Sequence, residues 1–182
     1  MSFLTQLLVS VLASGTLFIQ AACLVLLILL IAGLIKPKNK TIKKLKGAIS
    51  DNYIVIILVI TSLATAGSLA LSEIVNFAPC KLCWYQRAVM YPQAVIAFIA
   101  LMTNDIKIKK YILPLSIIGL VIATYHILLQ MFPSAFQCSD ELAKCSAVQF
   151  AQFGFITIPV MAFSAFLLII LVSLTGEFKD VK

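Results

Sequence analysis

Four cysteines stand in two groups. Cys80 and Cys83 lie two residues apart in "PCKLCWYQR", and Cys138 and Cys145 bracket "SDELAK". A C-x-x-C ring is tight and is the usual geometry of a reducible, exchange-active thiol pair. Four cysteines allow three pairings, and the sequence groups 80 with 83 and 138 with 145. Two other uses of these thiols compete with redox chemistry. As inert staples they would close short loops, which gives only a modest entropic stabilisation. As zinc ligands they would need short spacing in both groups, and the six residues between Cys138 and Cys145 do not supply it. Redox exchange is the favoured reading, and no metal site is assigned. A fifth cysteine, Cys23, sits in the middle of an apolar run and reads as a small apolar core residue.

A fixed charge accompanies the first pair. Pro79 precedes Cys80, and a helix is expected to begin at about Cys83. Its first-turn N–H groups, at the positive end of the helix dipole, favour a thiolate there. Arg87 comes four residues after Cys83, one turn deeper on the same face. An arginine inside a membrane is costly unless it has a partner or snorkels. At the outer end of a span it is also misplaced as a topology signal, which favours a functional role. The single histidine, His126 in "HILLQMFPSAFQC", precedes Pro133 by about two helical turns. That places it at a depth similar to that of Arg87 on a different helix. Two convergent polar groups in an apolar wall suit an amphipathic ring compound. The plainer alternative for His126 is a buried imidazole bonded to a backbone carbonyl.

The elements that must hold these residues are membrane helices. The chain is 62% hydrophobic and 12% charged, with mean hydropathy +1.09. A soluble domain is nearer half apolar and a quarter charged. The apolar blocks are long enough to cross a hydrocarbon core, which needs about 20 residues, and they do not alternate as barrel strands do. Five spans are expected, within 8–35 and at about 53–72, 85–102, 111–131 and 155–175. The fold class is thus an all-α membrane protein. The first segment lacks a basic leading region and its apolar core is too long for a signal peptide, so it is expected to remain as a helix.

The net charge of +7 is concentrated in two places. Lys36, Lys38, Lys40, Lys43, Lys44 and Lys46 share one loop, and Lys107, Lys109 and Lys110 another. Both flank apolar spans, as topology signals do, and no motif supports nucleic-acid binding. Both loops and the tail "GEFKDVK" are therefore expected in the cytoplasm. The N-terminus and the loops around 73–84 and 132–154 are expected outside. All four grouped cysteines then face a compartment that permits disulfides in bacteria. The segment "SAVQFAQFGF", with Phe150, Phe153 and Phe155, reads either as an amphipathic interfacial stretch or as an ordinary helix start.

Forming a disulfide releases two electrons and two protons, so an acceptor is required. The chain has no haem-attachment motif and no nucleotide fingerprint. A lipid-soluble quinone needs neither, and Arg87 is suited to stabilise negative charge developing on its oxygens.

These residues resemble the DsbB-type membrane disulfide oxidases. The likeness rests on the C-x-x-C-x-x-x-R pattern of "PCKLCWYQR" and on "HILLQMFPSAFQC", and it covers about residues 55–175. It implies a four-helix catalytic bundle over 51–182, preceded by an additional transmembrane helix and lysine-rich cytoplasmic loop over 1–50. It also implies a multi-pass protein of the bacterial inner (plasma) membrane. In that family Cys80 and Cys83 would face a quinone, ubiquinone or menaquinone, with Cys83 in contact with it. Arg87 would hold the quinone and His126 would lie near its ring. Cys138 and Cys145 would face a DsbA-like thioredoxin-fold partner, and Cys138 would form the mixed disulfide. The chain departs from the family in its extra first helix and in the short spacing between Cys138 and Cys145. Two rival readings remain. One is a quinone reductase of the vitamin K epoxide reductase type. The other is a C-x-x-C metal-binding membrane protein, which would need ligands on several helices, with only His126 and Cys23 as candidates.

Overall fold

The computed structural model describes residues 3–35, 39–132 and 145–175. Among them are six α-helices: α1 (Phe3–Ile35), α2 (Lys40–Asp51), α3 (Tyr53–Glu73), α4 (Lys81–Thr103), α5 (Lys109–Met131) and α6 (Ile158–Thr175). A short 3-10 turn, Ile106–Ile108, links α4 to α5. Five of the helices match the five expected spans to within a few residues at most ends. Helices α1, α3, α5 and α6 are each long and apolar enough to cross a membrane, which makes this a multi-pass membrane protein. Helix α4 has comparable length, 23 residues, but carries Gln86, Arg87 and Gln93 within its apolar sequence.

Helices α3 to α6 form the bundle: α3 packs on α4, α4 on α5, α5 on α6, and α6 back on α3. Helix α1 lies outside this ring and packs on α6. The exposure pattern suits a lipid solvent. Phe18 and Leu34 of α1 are 78% and 83% exposed, whereas α6 buries ten of its 18 residues. Apolar side chains turned outward at this density are stable against hydrocarbon and not against water.

With both solvent and core apolar, burial alone does not fix which helix faces which. Close packing and polar pairs across interfaces do. Three of the interfaces show such a pair. The Tyr53 and Ser173 hydroxyls are 2.9 Å apart between α3 and α6. Ser116 Oγ donates to Gln93 Oε1 at 2.8 Å between α5 and α4. Gln20 Nε2 donates to Ser164 Oγ at 3.3 Å between α1 and α6. Cys23 is buried in that last interface, its thiol 3.8 Å from the Ser164 carbonyl, so it serves packing as expected. Pro92 and Pro114 lie inside α4 and α5, as membrane bundles tolerate when neighbouring groups re-satisfy the backbone.

Two local expectations are corrected. The lysine-rich segment is not simply a loop, because residues 40–51 form α2. Ile42, Leu45 and Ile49 recur at helical spacing on a face away from Lys40, Lys43 and Lys44, and the Asn39 side chain caps the first turn by accepting from Thr41 N at 3.0 Å. The "SAVQFAQFGF" segment is not a helix start. It turns back on itself through a Gln152–Ile156 bridge, with Phe153 and Gly154 at φ 54° and 83°. Helix α6 begins only at Ile158.

Helices α5 and α6 approach closely at Gly119, where an added Cβ would collide with the Phe166 ring. Phe166 is itself buried, so the ring has nowhere to retreat. Gly119→Ala is expected to destabilise the protein by about 1–3 kcal/mol, read as a lowered melting temperature in detergent. An unchanged melting temperature would mean that the α5–α6 contact is looser than described.

Candidate functional site

The residues that carry chemistry converge at one end of the bundle, opposite the end bearing α2 and the Lys107–Lys110 turn. Helix α4 begins at Lys81, two residues earlier than expected, with Cys80 as its N-cap in an extended conformation (φ −74°, ψ 172°). Pro79 fixes the chain just before it, and Trp84 N makes the first helical bond to Cys80 O at 3.1 Å. Cys83 therefore occupies the third helical position, over N–H groups that no preceding turn satisfies. Both thiols are free. Cys80 Sγ donates to Cys83 Sγ at 3.3 Å. That donation, together with burial, pushes the Cys80 thiol up to about 12. Cys80 is thus the proton holder of the pair and Cys83 the sulfur that receives the hydrogen bond.

His126, on α5, is buried and makes three contacts. Its Nε2 lies 3.1 Å from the Cys145 carbonyl and 3.8 Å from Cys80 Sγ, and its Nδ1 lies 3.3 Å from Gln86 Nε2. A carbonyl only accepts, so Nε2 carries the proton, and the Gln86 amide then donates to Nδ1. The single histidine thus ties α4, α5 and the segment after residue 144 to one point. The carbonyl reading of His126 is realised, but that carbonyl belongs to a redox-candidate cysteine.

Arg87 points elsewhere. Its guanidinium donates to Ser68 Oγ at 2.9 Å and Ser68 O at 2.8 Å, and it lies 5.3 Å from the centre of the Trp84 ring. Arg87 therefore clamps α4 to α3, while His126 faces α4 on its α5 side. The two expected polar groups do not converge on each other, although each stands within about a helical turn of the Cys80–Cys83 pair. One turn deeper on the same two helices, Thr65 Oγ1 and Tyr91 OH are buried with no hydrogen-bond partner among the described residues.

Cys145 is 1% exposed and packs with Cys80, Leu82 and Leu129. Cys138 lies outside the described residues. The segment that carries Cys145 is sewn to the segment before α4. Gln149 Nε2 donates to Ala78 O at 2.9 Å, and the Phe150 and Phe77 rings stack at 5.7 Å. Between Cys80, Cys83, His126 and Cys145 remains a space of about 20 Å³, enough for about one water.

Gln86, Gln149 and Ser68 escaped the sequence reading. Gln86 left a signal, because an amide inside an apolar helix needs a partner. If Gln149 holds Cys145 in its buried place, Gln149→Leu removes about one hydrogen bond, and maleimide labelling of Cys145 should speed up about 5-fold. Unchanged labelling would show that the bond does not position the cysteine.

Known proteins share this sequence pattern. Residues 50–176 match the family described as disulfide bond formation protein DsbB. The chain is 46% identical over 115 residues to disulfide bond formation protein C of Bacillus subtilis, covering 62% of this chain and 83% of that protein. It is 43% identical over 130 residues to a probable disulfide formation protein of Oceanobacillus iheyensis, covering 69% and 88%. It is 36% identical over 132 residues to the SPbeta prophage-derived disulfide bond formation protein B of B. subtilis, covering 72% and 89%. No solved structure matches the chain. By the extent of the family match, which spans all four bundle helices and the whole thiol site, the chain belongs to the DsbB family of disulfide bond formation proteins.

Proposed function

We infer that this protein is a membrane thiol:quinone oxidoreductase that re-oxidises a DsbA-like thioredoxin-fold protein outside the cell membrane. The observation that carries the reading is the placement of Cys145 against the Cys80–Cys83 pair, with His126 touching both. Two thiol groups distant in sequence are thereby within reach of exchange.

A reduced partner's thiolate attacks the Cys138–Cys145 disulfide, and the mixed disulfide on Cys138 resolves as oxidised partner leaves. The resulting dithiol reduces Cys80–Cys83 by the same exchange. Each transfer breaks one S–S bond, forms another and moves two electrons. Cys80 retains a proton and hydrogen-bonds Cys83 in the reduced pair, which leaves Cys83 as the sulfur that reacts onward. A quinone, ubiquinone or menaquinone, supplies the final acceptor of two electrons and two protons.

The residues present fit such a group. The space enclosed by the thiols and His126 is too small for a ring, and the residues that would hold one stand where α4 meets α3. There Arg87 would offer charged donors, and the hydroxyls of Thr65 and Tyr91, without a partner among the described residues, lie one turn deeper. Donors aimed at oxygens that gain negative charge are what this chemistry requires. The lysine-bearing end, with α2, then faces the cytoplasm, and the thiol end faces outside the bacterial plasma membrane. Residues 51–182 act as the catalytic bundle, and residues 1–50 as an accessory helix and basic segment packed on it.

The test is quinone absorbance in detergent with a reduced thioredoxin-fold partner. Turnover should require both the partner and Cys83, and be lost in Cys83→Ser. Arg87→Ala should raise the quinone KM about 10–100-fold, the worth of a charged hydrogen bond, while exchange with the partner is largely retained. If Arg87→Ala impairs partner exchange and leaves quinone kinetics unchanged, the assignment of Arg87 is wrong. If no quinone is reduced, so is the activity.

A further inference from the structure

The reduced site has a second capacity. Cys80 Sγ, Cys83 Sγ and a His126 ring nitrogen all lie within 4.8 Å of one another. The two sulfurs are 3.3 Å apart, and His126 Nε2 is 3.8 Å from Cys80 Sγ. A tetrahedral zinc ion with Zn–S of about 2.3 Å and Zn–N of about 2.0 Å sets its ligand atoms about 3.5–3.8 Å apart. Two of the three separations thus stand within about half an ångström of those in a facial half of that tetrahedron, and the third, from Cys83 Sγ to the His126 ring, is at most 4.8 Å. The adjoining space, lined also by Cys145, admits about one water as a fourth ligand.

We propose that the dithiol form of the Cys80–Cys83 pair, with His126, is a binding site for a soft divalent cation such as Zn2+, and that the bound ion arrests the protein in its reduced state. Binding displaces one proton from each thiol and transfers no electrons. Two thiolates offset the ion's charge, and the Arg87 guanidinium is tied back to Ser68. His126 must present a bare Nε2 to the ion. It does so by releasing the Cys145 carbonyl and moving its proton to Nδ1, where Gln86 can accept it once its amide turns over. Oxidation to the disulfide removes both thiolate ligands, so the site exists only in one redox state. The inference stands on the dithiol geometry and does not depend on which molecule accepts the electrons.

The experiment is titration of the full-length protein in detergent with Zn2+, and with Cd2+ for its sulfur-to-metal charge-transfer band. It is run on the dithiol form and on the disulfide form of the same preparation. The dithiol form should bind one ion per Cys80–Cys83 pair, and the disulfide form should not bind there. His126→Ala should weaken binding at least about 100-fold and Gln86→Leu about 10-fold, the usual cost of losing a supporting hydrogen bond. The comparison of redox states needs no substitution and so does not depend on variants folding. Binding that survives oxidation, binding indifferent to His126, or no binding to the dithiol form would each overturn the proposal. Failure of quinone turnover with metal binding intact would count against the functional assignment alone.

Discussion

A polar side chain enclosed by apolar helices, with hydrocarbon beyond them, has no water to fall back on. Its hydrogen-bond partner must come from the chain itself, either its own helix or a neighbour, and leaving it unpaired costs several kcal/mol in such surroundings. In this protein several buried hydroxyls bond the carbonyl one turn back in their own helix, such as Thr16, Thr61 and Thr175, and others form single cross-helix pairs. Gln93 with Ser116, Tyr53 with Ser173 and Gln20 with Ser164 set the order of the helices. Arg87 with Ser68, and His126 with Gln86 and the Cys145 carbonyl, set the site. The same physics that assembles the bundle also places the thiols.

The site has two sides as a result. On the α5 side, His126 binds the Cys145 backbone beside Cys80. On the α3 side, Arg87 is locked to Ser68, with hydroxyls nearby that have no partner among the described residues. Cys83, half-buried between them, is the sulfur common to both. An exchange relay needs this arrangement, because one sulfur pair must meet a protein thiol from one direction and an acceptor from another without the two colliding. Cys145 is nearly fully buried. Its segment is held by a few contacts to Ala78, Phe77 and His126 rather than by secondary structure, which is compatible with a loop that must move to exchange.

Much of this was legible in the sequence. The five spans follow from block hydropathy, and Pro79 ahead of Cys80 places the start of α4 to within two residues. Other features were hidden for identifiable reasons. Helix α2 is hidden because lysines dominate its composition, while the stripe of Ile42, Leu45 and Ile49 is only three residues long. The turn at Phe153–Gly154 depends on positive φ values that one glycine only partly signals. The direction of Arg87 depends on how α4 is rotated against α3, and periodicity within α4 does not reveal that. The partner of His126 is a main-chain carbonyl, which no residue type announces.

The central claim is that Cys80 and Cys83 deliver electrons directly to a quinone. It is tested most directly in a single turnover. The protein carrying Cys138→Ser and Cys145→Ser is fully reduced, freed of metal, and mixed anaerobically with a soluble quinone. Absorbance and thiol content are followed together. The account predicts one quinol formed for each Cys80–Cys83 disulfide, without any partner protein. Thiols that persist beside unreacted quinone would contradict it.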